Sequence, residues 1–226
     1  MAADAVTAPR KPRTSRVRRS VPARDDARER ILDAALKLFA LHGLDGMSLQ
    51  MLADEVGLHK SSLFHHFRGK DELSLACLDR VMEGLLHVVE PLDMDDATDL
   101  ETVVHTCEAL ADHFTARPTA ALFLTRSLLG GHDDLHGDGK PKESNVPTFF
   151  GIVGGWLERA RRAGTIRPIR VRHALINLMG LVLFYPSIAG GFGKGLLGFD
   201  PTSARAGKAR RDELGKLVRN ALAPEA

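Results

Sequence analysis

The feature that most constrains this chain is the helical spacing of its apolar residues, which recurs from about residue 25 onward. Apolar side chains three or four positions apart lie on one face of an α-helix. The first such stripe consists of Ile31, Ala34, Ala35, Leu38 and Phe39, and Gly43 follows it as a stop signal. No stretch shows the alternation of apolar and polar residues that predicts a β-strand. We therefore predict an all-α fold.

Capping residues, glycines and prolines divide the chain into nine predicted helices. The first opens at a capping box over residues 26–29, and the second follows Ser48 as its N-cap. Gly57 separates the second helix from a third over 61–67, so residues 48–67 have the outline of a helix-turn-helix. The others are expected from Lys70 to Pro91, from a Thr98/Glu101 capping box through Phe114, and over 119–129, 147–163, 171–185 and 204–222.

Composition indicates a soluble protein of the reduced cytoplasm. The 226 residues are 44% hydrophobic, enough for a substantial core, and only 5% aromatic. Neither a disulfide framework nor a metal site is suggested by Cys77 and Cys107. The basic N-terminus is not followed by the apolar region of a secretory signal. The longest apolar run, 174–185, is too short for a bilayer of about 30 Å, so no membrane segment is expected.

Charge is distributed unevenly along the chain. Residues 1–24 contain seven basic residues and one acidic residue, a net charge of +6, whereas the remaining 202 residues carry a net charge of −4. A segment with so few large apolar residues is expected to be disordered. It is either a solubilising tail or an arm that binds a polyanion. The predicted organisation is this arm, a helix-turn-helix domain over 25–72, and a larger domain over 73–226.

Residues 57–70, with the sequence GLHKSSLFHHFRGK, are the candidate contact with nucleic acid. They contain three lysine or arginine residues and no acid, although residues 25–72 as a whole are net acidic. Affinity for duplex DNA comes largely from neutralised phosphates, so this local charge suits a DNA-facing surface. Helical spacing turns Leu63 and Phe67 inward. The same spacing directs Ser61, Ser62 and His65 toward base edges. Lys60, His66 and Lys70 are then available to donate to phosphates.

The spacing of the whole segment resembles the DNA-binding signature of the TetR/AcrR regulators. The matching residues are Ile31, Ala34, Ala35, Leu38, Phe39, Gly43, Ser48, Leu52, Ala53, Val56, Gly57, Leu58, Leu63, Phe64, His66, Phe67, Lys70 and Leu73. The resemblance implies a homodimer on a near-palindromic double-stranded operator and release by a small ligand bound among the middle helices. Where the family most often has Tyr this chain has Phe64, and where it often has Ser this chain has His59. The residues expected at DNA are Ser48, His59, Lys60, Ser61, Ser62, Phe64, His65, His66 and Lys70, with Arg16, Arg18 and Arg19 from the arm.

Metal binding and catalysis are poorly supported alternatives for the histidines. His65 and His66 are adjacent, so on a helix they point about 100° apart, and no cysteine or carboxylate stands at ligand spacing. No nucleophile with an orienting acid accompanies them. We expect no metal, no cofactor and no enzymatic activity.

The larger domain is expected to supply the dimer contact and the ligand site. Helix 171–185 is apolar on nearly all sides, which implies burial in a core or against a second subunit. Together with Leu214, Leu217, Val218 and Leu222 of the final helix 204–222, it is a candidate for the dimer contact. The effector is not identified by the sequence. Candidate ligand contacts are Arg126, Phe149, Trp156, Asn177 and Tyr185.

A repressor released by a small molecule is the leading hypothesis. One alternative is an activator that answers to no small molecule. Another is a thiol- or metal-responsive sensor, which would use Cys77, Cys107 or the His132–His136 loop.

Overall fold

The computed structural model describes residues 23–92, 99–129, 145–189 and 198–224, together with Gly195. These residues form nine α-helices and no strand, which confirms the predicted all-α class. A single 3₁₀ turn, Glu90–Leu92, follows the fourth helix. The helices are α1 Ala23–Gly46, α2 Leu49–Val56, α3 Lys60–Leu63, α4 Lys70–Val89, α5 Leu100–Ala116, α6 Pro118–Leu129, α7 Asn145–Ala163, α8 Val171–Ala189 and α9 Ala204–Leu222.

Several predicted helix ends were wrong. Helix α1 begins at Ala23, before the predicted capping box, and α7 begins two residues before Pro147 because proline is tolerated in a first turn. The N-cap of α5 is Asp99, whose carboxylate accepts the N–H of Thr102 at 2.8 Å. The hydrogen bonds that Thr102 donates lower the pKa of the Asp99 carboxyl group. The predicted cap, Thr98, lies outside the described residues.

The third helix is shorter than the predicted 61–67. Only Lys60–Leu63 is α-helical, and a turn follows in which the N–H of His65 donates to Ser62 O at 3.2 Å. Bonds between residues three apart tighten the end of a helix. Phe67 N–H returns to Leu63 O at 2.9 Å, so the segment remains compact despite its short helix.

Helix α5 is central to the packing of the helices that follow α3, because it contacts α4, α6, α7, α8 and α9. Ion pairs hold α9 to it: Arg211 Nη1 lies 2.7 Å from Asp112 Oδ2, and Arg219 Nη2 lies 2.7 Å from Glu101 Oε2. Helix α4 packs against α1 and against α5, α6 and α7, and α1 also packs against α6.

Helix α8 extends to Ala189, four residues beyond its predicted end. With 19 residues and a mean hydropathy of 1.3, it is the only helix in the described ranges that could cross a bilayer by length and composition. Only 17% of this stretch is buried in the chain. One such helix is weak evidence for a membrane segment, because a helix covered by another subunit has a similar composition.

Candidate nucleic-acid interface and internal cavity

The turn between α2 and α3 is built by local backbone chemistry. Ser48 Oγ accepts the N–H of Met51 at 3.1 Å and caps α2, as predicted. Gly57 ends the helix with φ +67°, a left-handed conformation that costs glycine no steric penalty. The N–H of Leu58 then donates to Ala53 O at 2.9 Å. The turn therefore sets the direction in which α3 leaves α2.

The short helix α3 and its following turn separate a buried face from an exposed one. Leu63 and Phe67 are buried, at 2% and 5% exposure, which agrees with the predicted inward face. Half of the Phe64 side chain (49%) is exposed. Beside it, His59, Lys60, Ser61 and His65 are exposed, while Ser62 and His66 are half-buried. Most of the residues of this segment that were predicted to contact DNA therefore lie at the protein surface.

Lys70 lies at the start of α4, next to that surface. Glu72 fixes the helix start, because its Oε2 accepts the N–H of Arg68 at 2.7 Å. Lys70 Nζ donates to Met47 O at 3.3 Å, in the connection between α1 and α2. An ammonium group has three donors, so two remain for a phosphate.

Two arginines of α1 support this surface, and the sequence did not identify them. The Arg28 guanidinium lies 5.2 Å from the Phe67 ring centroid, and Arg30 Nη2 donates to Val56 O at 3.3 Å. The second contact satisfies a carbonyl at the end of α2. Its partners are 26 residues apart, so no local spacing rule could have paired them.

The remaining predicted residues are in the N-terminal arm, in the His132–His136 loop and at the two cysteines. Arg16, Arg18, Arg19 and the His132–His136 loop lie outside the described residues. Cys77 and Cys107 are buried, and desolvation raises the pKa of each thiol to about 12. Neutral, inaccessible thiols are poor redox sensors. In the described part of the chain, no three His, Cys, Asp or Glu side chains form a group that could hold a metal ion.

An apolar cavity lies between α4, α5, α7 and α8, and it contains two of the five predicted ligand residues. Phe149 and Trp156 line it. Arg126 is exposed in a separate cleft between α1 and α6, and Asn177 is exposed on α8. Tyr185 lies in a groove between α8 and α9, with the Arg210 guanidinium 4.5 Å from its ring centroid. The five residues therefore do not form a single site.

Residues 31–77 match the sequence model of the family described as bacterial regulatory proteins, tetR family. This match covers the helix-turn-helix and the first part of α4. This part of the chain is similar to the DNA-binding domain of tetR-family transcriptional regulators. The predicted resemblance to the TetR/AcrR regulators and the predicted DNA-binding helix-turn-helix are both confirmed.

Several known transcriptional regulators resemble the chain over most of its length. It is 24% identical to the HTH-type transcriptional regulator RutR of Escherichia coli K12, over 78% of this chain and 80% of RutR. With the HTH-type transcriptional repressor NicS of Pseudomonas putida it shares 23% identity, over 72% and 77% of the two chains. The crystal structure of FadR from Bacillus subtilis in complex with stearoyl-CoA aligns with a TM-score of 0.65 at 15% identity, covering 85% and 98% of the chains. That last similarity supports the fold alone.

Phe64 provides a test of the exposed surface. We expect Phe64→Tyr to bind duplex DNA about 5- to 10-fold more tightly, because the added hydroxyl can donate to a phosphate oxygen. The gain should appear on random-sequence duplex as well, since a phosphate contact carries no sequence information. Fluorescence anisotropy with labelled duplex measures it, and Phe64→Leu serves as the control without a hydroxyl. Equal affinity of Phe64→Tyr and the wild type would contradict a phosphate beside this ring.

Proposed function

We propose that this regulator is a cytoplasmic homodimeric repressor, released from a near-palindromic operator by a small molecule bound in the cavity between α4, α5, α7 and α8. The observation that carries the proposal is the course of α4. This helix begins at Lys70, beside the exposed surface of α3, and its Leu85 lines the cavity. Fifteen residues of α-helix separate them by about 22 Å. A ligand that displaces Leu85 would therefore move the start of α4 through a single rigid helix.

At the operator, the proposed contacts divide by chemistry. Lys60, His66 and Lys70 would donate to phosphates, joined by Ser48 and His59 at the two helix starts and by Arg16, Arg18 and Arg19 from the arm. Ser61, Ser62 and His65 would face base edges, and Phe64 would lie beside a phosphate. Two copies of α3 about 34–36 Å apart would fit successive turns of one DNA face. The relative NicS carries the word repressor in its name, which supports repression over activation.

The dimer contact is proposed on α8 and on one side of α9. Ile176, Phe184 and Leu217 are 69%, 62% and 56% exposed, and a groove of about 780 Å³ separates the two helices. Contiguous exposed apolar side chains of this kind usually mark an interface. The other three leucine and valine residues suggested for this contact were misassigned. Leu214, Val218 and Leu222 are at most 5% exposed, because they pack inside their own chain.

Arg210 joins the two helices of the proposed interface. Pro186 lacks an N–H and cannot donate to Val182 O four residues earlier, which leaves that carbonyl without its helical partner. Arg210 Nη2 instead donates a hydrogen bond to Val182 O at 3.0 Å, and it also donates to Leu181 O at 2.9 Å. The relative position of α8 and α9 is therefore fixed before a second subunit binds.

Selection of duplexes from a random pool tests the function. We expect a recovered site with two inverted half-sites, about one helical turn apart, that binds two chains. A reporter whose promoter overlaps this site should be repressed when the protein is produced. An asymmetric site occupied by one chain would contradict the homodimer, and increased reporter expression would contradict repression.

A further inference from the structure

The walls of the cavity between α4, α5, α7 and α8 contain no ionisable group that is charged near neutral pH, among the residues that the structure describes. The polar groups of the lining are the Thr106 hydroxyl, the Cys107 thiol and the Trp156 indole N–H. The hydroxyl already donates to Thr102 O at 2.8 Å. The raised pKa of the Cys107 thiol, about 12, keeps that group neutral. The remaining lining is aliphatic or aromatic, from Leu85 and Leu110 to Phe149.

A charged molecule would lose its hydration in this cavity without gaining a counter-charge. Transfer of an unpaired ion into apolar surroundings is strongly unfavourable, whereas each buried methylene group is stabilised. We propose that the cavity binds an uncharged, largely hydrocarbon molecule; its role as the effector rests on the repressor function proposed above. Cations and ionised acids are therefore expected to bind in the cavity far more weakly than uncharged molecules of the same length.

The cavity must widen to admit such a molecule, since only about 30 Å³ is accessible to the centre of a water-sized sphere. The wall best suited to move is the first half of α7. Gly151, Gly154 and Gly155 lie there between Phe150 and Trp156. Glycine stabilises a helix less than alanine does, and at Gly151 an added Cβ would have no atom within 4 Å. Close packing therefore does not require glycine at this position, and the helix is left easily deformed.

Trp156 provides the measurement, because it is the only tryptophan in the chain and lies in the cavity wall at 2% exposure. The full-length protein is titrated without DNA, using hexanol, heptanol, octanol, octanoate and octylammonium as probes. We expect the alcohols to change the Trp156 fluorescence saturably, with about fourfold tighter binding for each added methylene. Octanoate should bind about 100-fold more weakly than octanol at pH 7, and the gap should narrow as the pH falls toward the carboxyl pKa. Octylammonium should not bind.

A pair of substitutions on α7 locates the binding. Val153 lines the cavity, whereas the neighbouring Ile152 does not. We expect Val153→Phe to weaken octanol binding about tenfold by filling the space, and Ile152→Phe to change it less than twofold. Circular dichroism and thermal unfolding check that both variants are folded. Equal weakening by the two variants would place the probe elsewhere and overturn the proposal.

Two further outcomes separate this inference from the repressor hypothesis. Octanoate binding at pH 7 as tight as that of octanol, or no alcohol binding by fluorescence and calorimetry, would overturn the uncharged-ligand proposal. Saturable octanol binding in the cavity with unchanged operator affinity would leave that proposal standing. It would instead contradict release of the operator through this cavity.

Discussion

Phe184→Arg is expected to abolish the dimer and to reduce operator affinity at least about 100-fold. The ring of Phe184 is 62% exposed in the groove between α8 and α9, where a second subunit is proposed to cover it. In a symmetric interface the substitution places two unpaired cations in an apolar contact. A monomer then loses the second DNA-binding event, which in the dimer takes place at a high effective concentration. Light scattering after size exclusion gives the mass, and anisotropy gives the affinity.

Leu129→Arg is the matched control for this variant. Leu129 is 83% exposed at the end of α6, and it does not line the groove between α8 and α9. The control should remain a dimer with wild-type operator affinity. If Phe184→Arg is also a dimer and binds normally, the subunit contact lies on a different surface.

Lys70→Ala is expected to weaken binding to all duplexes about tenfold and to reduce the slope of log affinity against log salt by about one. The lost ammonium group would no longer neutralise a phosphate or release its counterion. Because Lys70 Nζ also donates to Met47 O, a loss of stability on the order of 1 kcal/mol is expected as well. Anisotropy titrations over a range of salt concentrations measure the slope, and thermal unfolding measures the stability.

Two substitutions separate charge from structure in that result. Lys70→Arg keeps the charge and should restore most of the slope, whereas Lys37→Ala removes a charge from an exposed position on α1 and should leave it unchanged. The same slope in Lys70→Ala and the wild type would remove Lys70 from the phosphate contacts. His65→Ala serves as a contrast, since loss of a base-facing side chain should change sequence preference more than salt dependence.

The helix-turn-helix could be predicted because its determinants are local. Ser48 as an N-cap and Gly57 as a left-handed stop depend on chemistry within a few residues, and both have these roles in the structure. Burial of Leu63 and Phe67 follows from their spacing of four. The length of α3 was not predictable in this way. Its end is set by a three-residue hydrogen bond at His65, which competes closely with continued α-helix.

The larger domain was predicted less completely, because periodicity identifies an apolar face without identifying what covers it. The apolar stripe of α9 suggested a subunit contact, yet Val218 is fully buried within the chain and only Leu217 faces outward. Arg126 was predicted to contact the ligand, but its side chain is exposed in a separate cleft between α1 and α6. Helix α9 is held by contacts with helices far apart in sequence, such as the ion pair of Arg219 with Glu101.

The sequence by itself determined the all-α class, the number of helices in the described part, the helix-turn-helix and its resemblance to the tetR family, because helix periodicity, caps and a contiguous motif are encoded over short distances. Tertiary structure alone decided that Arg28 and Arg30 support the recognition segment and that Phe149 and Trp156 share an uncharged cavity. It also decided that α4 connects that cavity to the proposed DNA surface. These arrangements depend on how whole helices pack, and packing is fixed by the sum of many weak contacts between distant residues.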